Sequence, residues 1–564
     1  MKSLSSLLFL FMVLFFAFNT VNGQEKKKEI VLEKRYLNLP VQNDVPKQRI
    51  SLHVDGNIRH EFLIRLAVDK PDYWTYMDIS MYKGKNATLS VEKLPDGSHG
   101  YDMIYQDDRL KEEGTIYKEK LRPQFHYTAK RGWIQDPVGL VYYDGEYHMF
   151  PLHYPFGLSG GVGWGHAVSK DLIHWQELPM AIYPYDSSSI YSGSAVVDKN
   201  NTSGLQTGEE NVMVALHSLS NKQVQCLAYS NDRGRTWTNY SGNPVIGDRR
   251  AIVGNNDIRD PKVFWHEPTS KWVMVLFEGI GNSIFTSDNL KDWEYQSHID
   301  DSWECPELFE LPVDADPENT KWVMYGAAGV YMIGDFDGKE FNMESGKHFY
   351  STGKLNSAFK HKGIFYASQT FNNEPHGRRI QLGWGIVEFP GMPFIHMITF
   401  PNELSLRTST EGIRLCANPI KEIETLHKKE YTLTDITIGE YGTTDILERL
   451  GGELGELLHI KAEFEMGARK SYGVFGLRIN GFEIEYDARH NRLNDAFLNF
   501  EDGKIYLEIL IDRASVEIYA NHGRLYMADA HFSVNHPKQF ELYHLWGDVH
   551  LNKLQVYELK SIWE

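Results

Sequence analysis

Three acidic residues stand next to or near prolines at the start of strand-like segments, and their side chains could carry acid–base chemistry. They are Asp136 in the sequence Gln-Asp-Pro, Asp260 in Arg-Asp-Pro and Glu304 in Glu-Cys-Pro. Taken singly, an Asp-Pro pair is typical of a turn. If the three converge, mutual repulsion raises at least one pKa and leaves a protonated acid beside an ionised carboxylate. That pairing is what cleavage of a glycosidic bond requires.

The segment from about 121 to 410 has the pattern of a β-propeller, which would bring these acids together. Its apolar strands are followed by three similar turns, SKDLIHW, SNDRGRTW and TSDNLKDW, which start at residues 169, 230 and 286. The interval of about 55 to 60 residues is near the length of a four-stranded blade, so the segment holds about five blades. An Asp or Ser in each turn can accept backbone N–H groups while the Trp packs over the blade. Because the first strand of each blade lines the central channel, we predict that the acids meet at its mouth.

The segments on either side of the propeller also alternate between apolar and polar residues, so the fold class is all-β. Residues 24–120 contain runs such as RISLHVDG and WTYMDISMYKG, which predict a small N-terminal β accessory domain. Residues 411–564 contain runs such as ELLHIKAEFEM and SVEIYAN, which predict a C-terminal β-sandwich. We therefore predict a five-bladed β-propeller between two smaller β structures.

The N-terminus predicts export. Residues 1–23 combine Lys2, an apolar run and small residues before Gln24, which is the pattern of a secretory signal peptide. The apolar run is shorter than the ~20 residues that span a bilayer, so no membrane span is predicted. We expect a periplasmic or extracellular protein.

Charge and cysteine content exclude other classes of function. The formal net charge of -18 provides no extended basic surface, so we expect no nucleic acid partner. The three cysteines, Cys226, Cys305 and Cys416, form neither a disulfide framework nor the close Cys/His spacing of a metal site. Cys305 is predicted to be a packed neighbour of Glu304 rather than a reactive thiol. We expect no metal and no cofactor, because two carboxylates suffice for glycoside cleavage.

The three acid motifs, in this order and on a propeller, resemble those of glycoside hydrolase family 32, which contains β-fructofuranosidases, levanases and inulinases. The resemblance extends through the segments WGHAVSKDLIHW, YSGSAVV, RRIQLGW, FPNELSLRT and IDRASVEIYAN, and covers about 121–564. The preceding β unit resembles the accessory domain of some secreted bacterial members. The resemblance implies a fructan or fructo-oligosaccharide as substrate, and a funnel-shaped pocket that favours exo action.

The same resemblance implies a role for each candidate residue. Asp136 would be the nucleophile of a retaining reaction, and Glu304 would be the acid that protonates the leaving oxygen and then the base that activates water. Asp260 would accept hydrogen bonds from sugar hydroxyls in the transition state. The remaining candidates would orient the acids or contact the sugar: Gln135, Trp164, Tyr191, Ser192 and Arg259.

Several residues depart from the family pattern where the sugar would bind. Gln135 replaces an Asn before the nucleophile and Val138 an Asn after the proline. Leu152 stands where a sugar-binding Gln is expected, and Ser159 aligns with a Trp of the family. The loss of a hydrogen-bonding group changes the preference of a polar sugar site, since an unpaired partner costs about 1–3 kcal/mol.

These departures leave three readings open. In the first, His153, Tyr154 or Phe156 rebuilds the fructose pocket and the protein is a fructan hydrolase. In the second, the protein is a related furanoside hydrolase with an altered sugar preference. In the third, it is a catalytically silent carbohydrate-binding propeller, which the presence of all three acids argues against. The oligomeric state is left open by the sequence.

Overall fold

Nearly all the regular structure of the chain is antiparallel β-sheet, which confirms the predicted all-β class. The computed structural model describes residues 25–352, 363–437, 441–467, 473–546 and 549–564. The predicted signal peptide lies outside these residues. The chain divides into two compact units, Met1–Leu110 and Lys111–Glu564. Within the described part of the chain, no helix has both the length and the apolar character needed to cross a membrane.

The first unit consists of two small antiparallel sheets. Its strands are β1 (Lys26–Val31), β2 (Tyr36–Val41), β3 (Gln48–Val54), β4 (Asn57–Ile64), β5 (Tyr73–Asp78), β6 (Asn86–Val91) and β7 (Tyr105–Asp107). One sheet has the order β1-β6-β3-β4 and the other β5-β2-β7. Along β5, buried residues alternate with half-buried ones, as period-two alternation predicts for a strand with one face on a core. The predicted N-terminal β structure is therefore confirmed.

The second unit begins with a five-bladed β-propeller. The strands of blades 1 to 3 are β8 (Gly132–Tyr143), β9 (Glu146–Tyr154), β10 (Gly163–Ser169), β11 (Trp175–Ile182), β12 (Ile190–Asp198), β13 (Val212–Leu219), β14 (Val224–Ser230), β15 (Thr238–Asn239), β16 (Arg259–His266), β17 (Lys271–Phe277), β18 (Asn282–Ser287) and β19 (Glu294–Ile299), with helix α1 (Arg250–Val253) before β16. The strands of blades 4 and 5 are β20 (Glu307–Val313), β21 (Asp316–Gly326), β22 (Val330–Phe336), β23 (Phe341–Phe349), β24 (Phe365–Thr370), β25 (Arg379–Gly385), β26 (Phe394–Ile395), β27 (Met397–Ile398), β28 (Asn402–Ser409) and β29 (Gly412–Pro419). Strand β26 leaves blade 5 and pairs in parallel with β8, where Phe394 and Ile395 lie opposite Gly132 and Trp133. This pairing closes the ring between the last blade and the first.

The repeated sequence turns connect the third and fourth strands of blades 1, 2 and 3. In blade 1, Asp171 Oδ1 accepts hydrogen bonds from the backbone N–H groups of Ile173 and His174 at 3.0 and 2.8 Å. The indole Nε1 of Trp175 donates to the carbonyl of Leu172 at 3.0 Å. The Trp residues of the other two turns make the equivalent bond: Trp237 to Gly234 and Trp293 to Leu290. The recurring Trp and Asp or Asn therefore fix the turn itself.

A β-sandwich follows the propeller, as predicted. It begins after a 3₁₀ helix (Lys421–Leu426), and its elements are β30 (His427–Thr437), β31 (Gly442–Asp445), α2 (Ile446–Arg449), β32 (Leu458–Met466), β33 (Val474–Ile479), β34 (Phe482–Asp487), β35 (Arg492–Leu493), β36 (Ala496–Phe497), β37 (Lys504–Ile511), β38 (Ser515–Ala520), β39 (Leu525–Ala530), β40 (Phe540–Trp546) and β41 (Val549–Leu559). The two sheets have the orders β30-β41-β32-β37-β38-β39 and β31-β40-β33-β34-β35-β36. Fully buried side chains such as Ile460, Leu477 and Ile509 form the core between them.

A buried histidine joins the propeller segment to the sandwich. His126 contacts Asp512 through Nδ1 at 2.8 Å and Glu517 through Nε2 at 2.9 Å, and all three side chains are inaccessible to solvent. Burial alone would lower the pKa of His126, but the hydrogen bonds to the two carboxylates outweigh it and raise the pKa to about 9. An imidazolium between two carboxylates compensates charges that would otherwise be costly to bury.

We expect His126→Gln to lower the free energy of unfolding of this unit by about 3–5 kcal/mol, because it leaves two buried carboxylates without a cation. The folded-state pKa lies above the unfolded value of about 6.5, so the stabilisation is complete below about pH 6.5 and lost as the pH rises through about 9. Urea unfolding at pH 6 and pH 9.5 measures both effects. The control is His174→Gln at the exposed pair with Asp171, where we expect a change below about 1 kcal/mol. Equal changes in the two variants would contradict the prediction.

Candidate active site

Each of the five blades contributes one side chain to a cluster at one end of the channel. The innermost strands bring Asp136 from β8, Ser192 from β12, Asp260 from β16 and Tyr366 from β24, while Glu304 lies just ahead of β20. The structure thereby brings together the three acids that the sequence predicts to converge. Among the described residues, no group of three or more His, Cys, Asp or Glu side chains is arranged to hold a metal ion.

Asp136 is positioned by an irregularity in β8. The pairing of β8 with β9 shifts register between Ile134 and Pro137, and the half-buried Asp136 lies within this bulge. Ser192 Oγ donates a hydrogen bond of 2.5 Å to Asp136 Oδ2. Burial raises the pKa of Asp136 to about 6, the hydrogen bond from Ser192 opposes this shift, and the charge of Glu304 adds to it. At neutral pH the group is therefore mostly ionised.

Asp260 is almost fully buried and adopts a left-handed backbone conformation, with φ of 62°. Such a conformation is costly for a residue other than glycine and is found at functional sites where the surroundings enforce it. The backbone N–H of Cys305 donates to Asp260 Oδ2 at 3.1 Å. Burial is the main cause that raises the pKa of Asp260 to about 7; Arg259 opposes the shift, and Asp136 and Glu304 add to it. The predicted rise of at least one pKa is confirmed, although burial contributes more than repulsion.

Two donors hold the carboxylate of Glu304. Arg259 donates from Nη2 to Oε2, and the hydroxyl of Tyr366 donates to Oε1. The guanidinium also pairs with Asp257 and lies 3.5 Å from Asp260 Oδ2. Arg259 thus connects two of the three acids, as an orienting residue would.

Cys305 fills the space between the acids. Its side chain is buried, and Sγ lies 3.7 Å from Asp136 Oδ2 and 3.5 Å from Asp260 Oδ2. Burial and the three neighbouring carboxylates raise the pKa of this thiol well above its usual value, so it stays protonated and acts as a weak donor. The prediction of a packed neighbour rather than a reactive thiol is confirmed.

The predicted sugar contacts lie in different environments. The ring of Tyr191 is 36% exposed, and Gln135 is half-buried beside Asp136. Trp164, in contrast, has no exposed surface, and its Nε1 donates to the carbonyl of Tyr191 at 3.1 Å. The structure therefore places Trp164 behind Tyr191 as a support, and not on the sugar-facing surface where we expected it.

Two residues of the site were not predicted. Tyr366 lies in FYASQTF, which carries no acid, so only its packing beside Glu304 reveals it. Trp384 lies 6.3 Å from the Tyr366 ring, and its buried Nε1 has no hydrogen-bond partner within the described parts of the chain. A buried donor without a partner is unusual in a folded protein and points to a ligand group that satisfies it.

The family departures also have defined positions. Leu152 is buried and lies opposite Trp164 in the pairing of β9 with β10. His153 Nε2 contacts the carbonyl of Arg131 at 3.1 Å. Tyr154 and Phe156 are both buried, with their rings in edge contact. None of the three proposed replacements therefore offers an exposed polar group in place of the missing glutamine.

A propeller with three carboxylates at one end of its channel is the arrangement that a glycosidase requires. Two family models support this assignment: the glycosyl hydrolases family 32 N-terminal domain over residues 126–419 and the family 32 C-terminal domain over residues 422–558. A domain of unknown function, DUF4980, matches residues 26–122.

Similar proteins agree with these matches. A levanase from Bacillus subtilis is 39% identical over 505 residues, which span 80% of this chain and 72% of that protein. An extracellular exo-inulinase from Aspergillus ficuum is 29% identical, with 79% of this chain and 96% of that protein covered. The crystal structure of an exo-inulinase from Aspergillus awamori superposes with a TM-score of 0.68 at 27% identity, covering 79% of this chain and all of that one. The chain belongs to glycosyl hydrolase family 32.

Proposed function

We propose that this protein is a retaining, exo-acting β-fructofuranosidase that hydrolyses fructans such as levan or inulin, or fructo-oligosaccharides. The observation that carries the proposal is the convergence of Asp136, Asp260 and Glu304, each held by its own donor. The names of the Bacillus levanase and the Aspergillus exo-inulinases support the substrate class. The name exo-inulinase of the Aspergillus relatives supports the removal of terminal fructosyl units from the chain end.

Asp136 acts as the nucleophile. Its pKa of about 6 leaves it ionised near neutrality, and the bond from Ser192 orients one oxygen. The free oxygen attacks the anomeric carbon of the fructosyl unit and forms a covalent glycosyl-enzyme. Inversion at this step and again at hydrolysis gives net retention of configuration.

Glu304 acts as the acid and then as the base. Arg259 and Tyr366 fix the orientation of its carboxyl group. Its protonated carboxyl group donates the proton to the leaving oxygen as the glycosidic bond breaks. In the second step Glu304 accepts a proton from water, which attacks the glycosyl-enzyme.

The other residues bind the sugar. Asp260 accepts hydrogen bonds from two ring hydroxyls as positive charge develops in the transition state. Tyr191 provides an aromatic wall, Gln135 an amide, and Trp384 Nε1 a donor for a sugar oxygen. No cofactor takes part in this mechanism.

The domain organisation and location follow the same proposal. Residues 24–120 form the accessory domain, 121–410 the catalytic propeller and 411–564 the supporting sandwich. The signal-like residues 1–23 direct export, in agreement with the extracellular exo-inulinases among the relatives.

Product analysis tests the function. We expect the protein to release free fructose from levan, inulin or short fructo-oligosaccharides, without a ladder of longer products early in the reaction. Proton NMR of the first product should detect the β-anomer before mutarotation. Early release of the α-anomer would contradict the retaining mechanism, and early oligosaccharides would contradict exo action.

A second candidate is a related furanoside hydrolase with another sugar preference. The buried Leu152 and the bonded His153 favour it, because the position of Leu152 lacks the glutamine amide expected for fructose. Synthetic arabinofuranosides tested beside sucrose and fructans distinguish the candidates. Faster cleavage of an arabinofuranoside than of every fructoside would favour the second.

We expect Ser192→Ala to move the acid limb of the kcat/KM profile to higher pH by about one unit. The variant removes a hydrogen bond to the ionised form of Asp136, and one pKa unit corresponds to about 1.4 kcal/mol, within the range for a bond to a charged group. Activity requires the carboxylate, so the limb marks its protonation as the pH falls. The control is Ser194→Ala, since within the described part of the chain the Ser194 hydroxyl bonds backbone groups of Pro261 and Val263 and no carboxylate. An unmoved limb in Ser192→Ala would contradict the assignment of Asp136.

A further inference from the structure

A second cleft lies on blade 3, on the side of the propeller that carries the acids. It has a volume of about 520 Å³ and lies between the α1 segment, the β17–β18 turn and strand β19. Its lining includes Arg249, Ile252, Asn255, Glu278, Ile280 and Tyr295, and Val253, Ser283 and His298 complete it. We call it the blade 3 cleft. It is separate from the cluster of acids, and the mechanism above does not use it.

Short connections join the blade 3 cleft to the active site. Arg259, which holds Glu304, lies opposite Phe277 in the pairing of β16 with β17, and Glu278 of the cleft follows Phe277. On the other side, Asn282 Nδ2 donates to the carbonyl of Trp303 at 3.0 Å, directly before Glu304. Because neighbouring strand residues are about 3.3 Å apart, Glu278 lies about one residue beyond the partner of Arg259, close enough for an oligosaccharide bound at the acids to extend to the cleft.

The exposed surface of the cleft is unusually apolar. Ile252, in α1, is 72% exposed and Ile280, in the β17–β18 connection, is 71% exposed, and both side chains line the cleft. The ring of Tyr295, 50% exposed, lies beside them, with the guanidinium of Arg249 5.7 Å from its centroid. Contiguous exposed apolar side chains with a polar rim mark a binding groove more often than a solvent-facing surface.

The polar groups of the cleft suit an uncharged ligand. Arg249 Nε donates to Glu278 Oε1 at 2.5 Å, so the two charges neutralise each other. The terminal guanidinium nitrogens have no hydrogen-bond acceptor among the described residues and can donate to hydroxyl groups. Aromatic and aliphatic surface for C–H faces, combined with donors for hydroxyls, is the chemistry that recognises a neutral sugar.

We propose that the blade 3 cleft binds the outer fructosyl units of the fructan chain whose terminal unit occupies the active site. This inference rests on the proposed function and extends it, since it makes the protein selective for polymers over disaccharides. Binding energy from remote units lowers KM for long chains and is absent for sucrose, which ends before the cleft.

The test compares a cleft variant with a matched control. The double variant Ile280→Ala/Tyr295→Ala removes apolar surface from the cleft, and Met343→Ala/Tyr441→Ala removes exposed side chains of similar size from β23 and the sandwich. We expect kcat/KM for inulin or levan to fall about 10-fold in the cleft variant through KM, which corresponds to about 1.4 kcal/mol. The value for sucrose should change by less than about 2-fold, and the control should resemble the parent on both substrates.

A binding measurement keeps this proposal separate from the proposed function. In the Glu304→Gln background, migration in native gels that contain levan or inulin should be retarded, and the cleft changes should reduce the retardation. Equal losses on sucrose and polymer, or unchanged retardation, would overturn the role of the cleft. If the parent cleaves no fructoside, the proposed function fails, while retardation that depends on Ile280 and Tyr295 would still support fructan binding at the cleft.

Discussion

Asp136→Asn is expected to lower kcat on every fructoside by on the order of 10⁴-fold or more, because the variant cannot form the covalent intermediate. The loss should appear in kcat and kcat/KM alike, since the nucleophile acts in the transition state and contributes little to substrate binding. Steady-state kinetics on sucrose and on a fructan measure it. The variant should keep the gel retardation of the parent on fructan, because the binding surfaces are intact.

The matched control for this variant is Asp144→Asn. Asp144 lies in the turn after the same strand, where it pairs with Arg233 on the surface. We expect its kinetics to resemble those of the parent. A variant at Asp136 that retained turnover within tenfold of the parent would show that another group attacks the sugar. If the parent itself were inactive, the result would favour the hypothesis of a catalytically silent carbohydrate-binding propeller.

Glu304→Gln is expected to lower kcat on natural fructosides by about 10²–10⁴-fold, the range for loss of a general acid. The loss should be smaller on an aryl fructoside, since a phenolate with a low pKa leaves without protonation. With such a substrate, hydrolysis of the glycosyl-enzyme becomes the slow step and a burst of phenol should precede the steady state. Stopped-flow absorbance measures the burst.

The control for Glu304 is Glu310→Gln, an exposed acid further along the same blade. Its activity on both substrates should match the parent. Equal losses of Glu304→Gln on the aryl and the natural substrate, without a burst, would contradict the assignment of Glu304 and would favour a purely positioning role for it.

The sequence was sufficient to predict the features that repeat or that carry charge. The propeller followed from turns such as the one at Asp171, where the residues that repeat are those that make the turn bonds. The acids Asp136, Asp260 and Glu304 were found because each precedes or nearly precedes a proline at the entry to an inner strand. The boundary predicted at residue 120 stays a prediction; the first compact unit ends at Leu110.

Contacts between side chains of different strands, and the burial of single side chains, could not be predicted from the sequence. Tyr366 contacts Glu304 only because blade 5 lies beside blade 4, and the sequence around it has no distinguishing residue. Trp164 was expected at the sugar because it lies in a family motif, but β10 is buried along its whole length and Trp164 has no exposed surface. Repulsion was expected to raise the pKa of at least one of the three acids, whereas at Asp260 burial is the larger cause of the raised pKa.

The closure of the ring by β26 sets the order in which the protein can gain its activity during synthesis. The acids are made early, between Asp136 and Glu304, but the blade that supplies Tyr366 and the strand that ties Phe394 to Gly132 emerge from the ribosome later. Until those residues have emerged, Glu304 lacks its hydrogen bond from Tyr366, and no strand pairing joins the last blade to the first. We therefore expect the cluster of acids to be complete only after the fifth blade has folded and β26 has paired with β8.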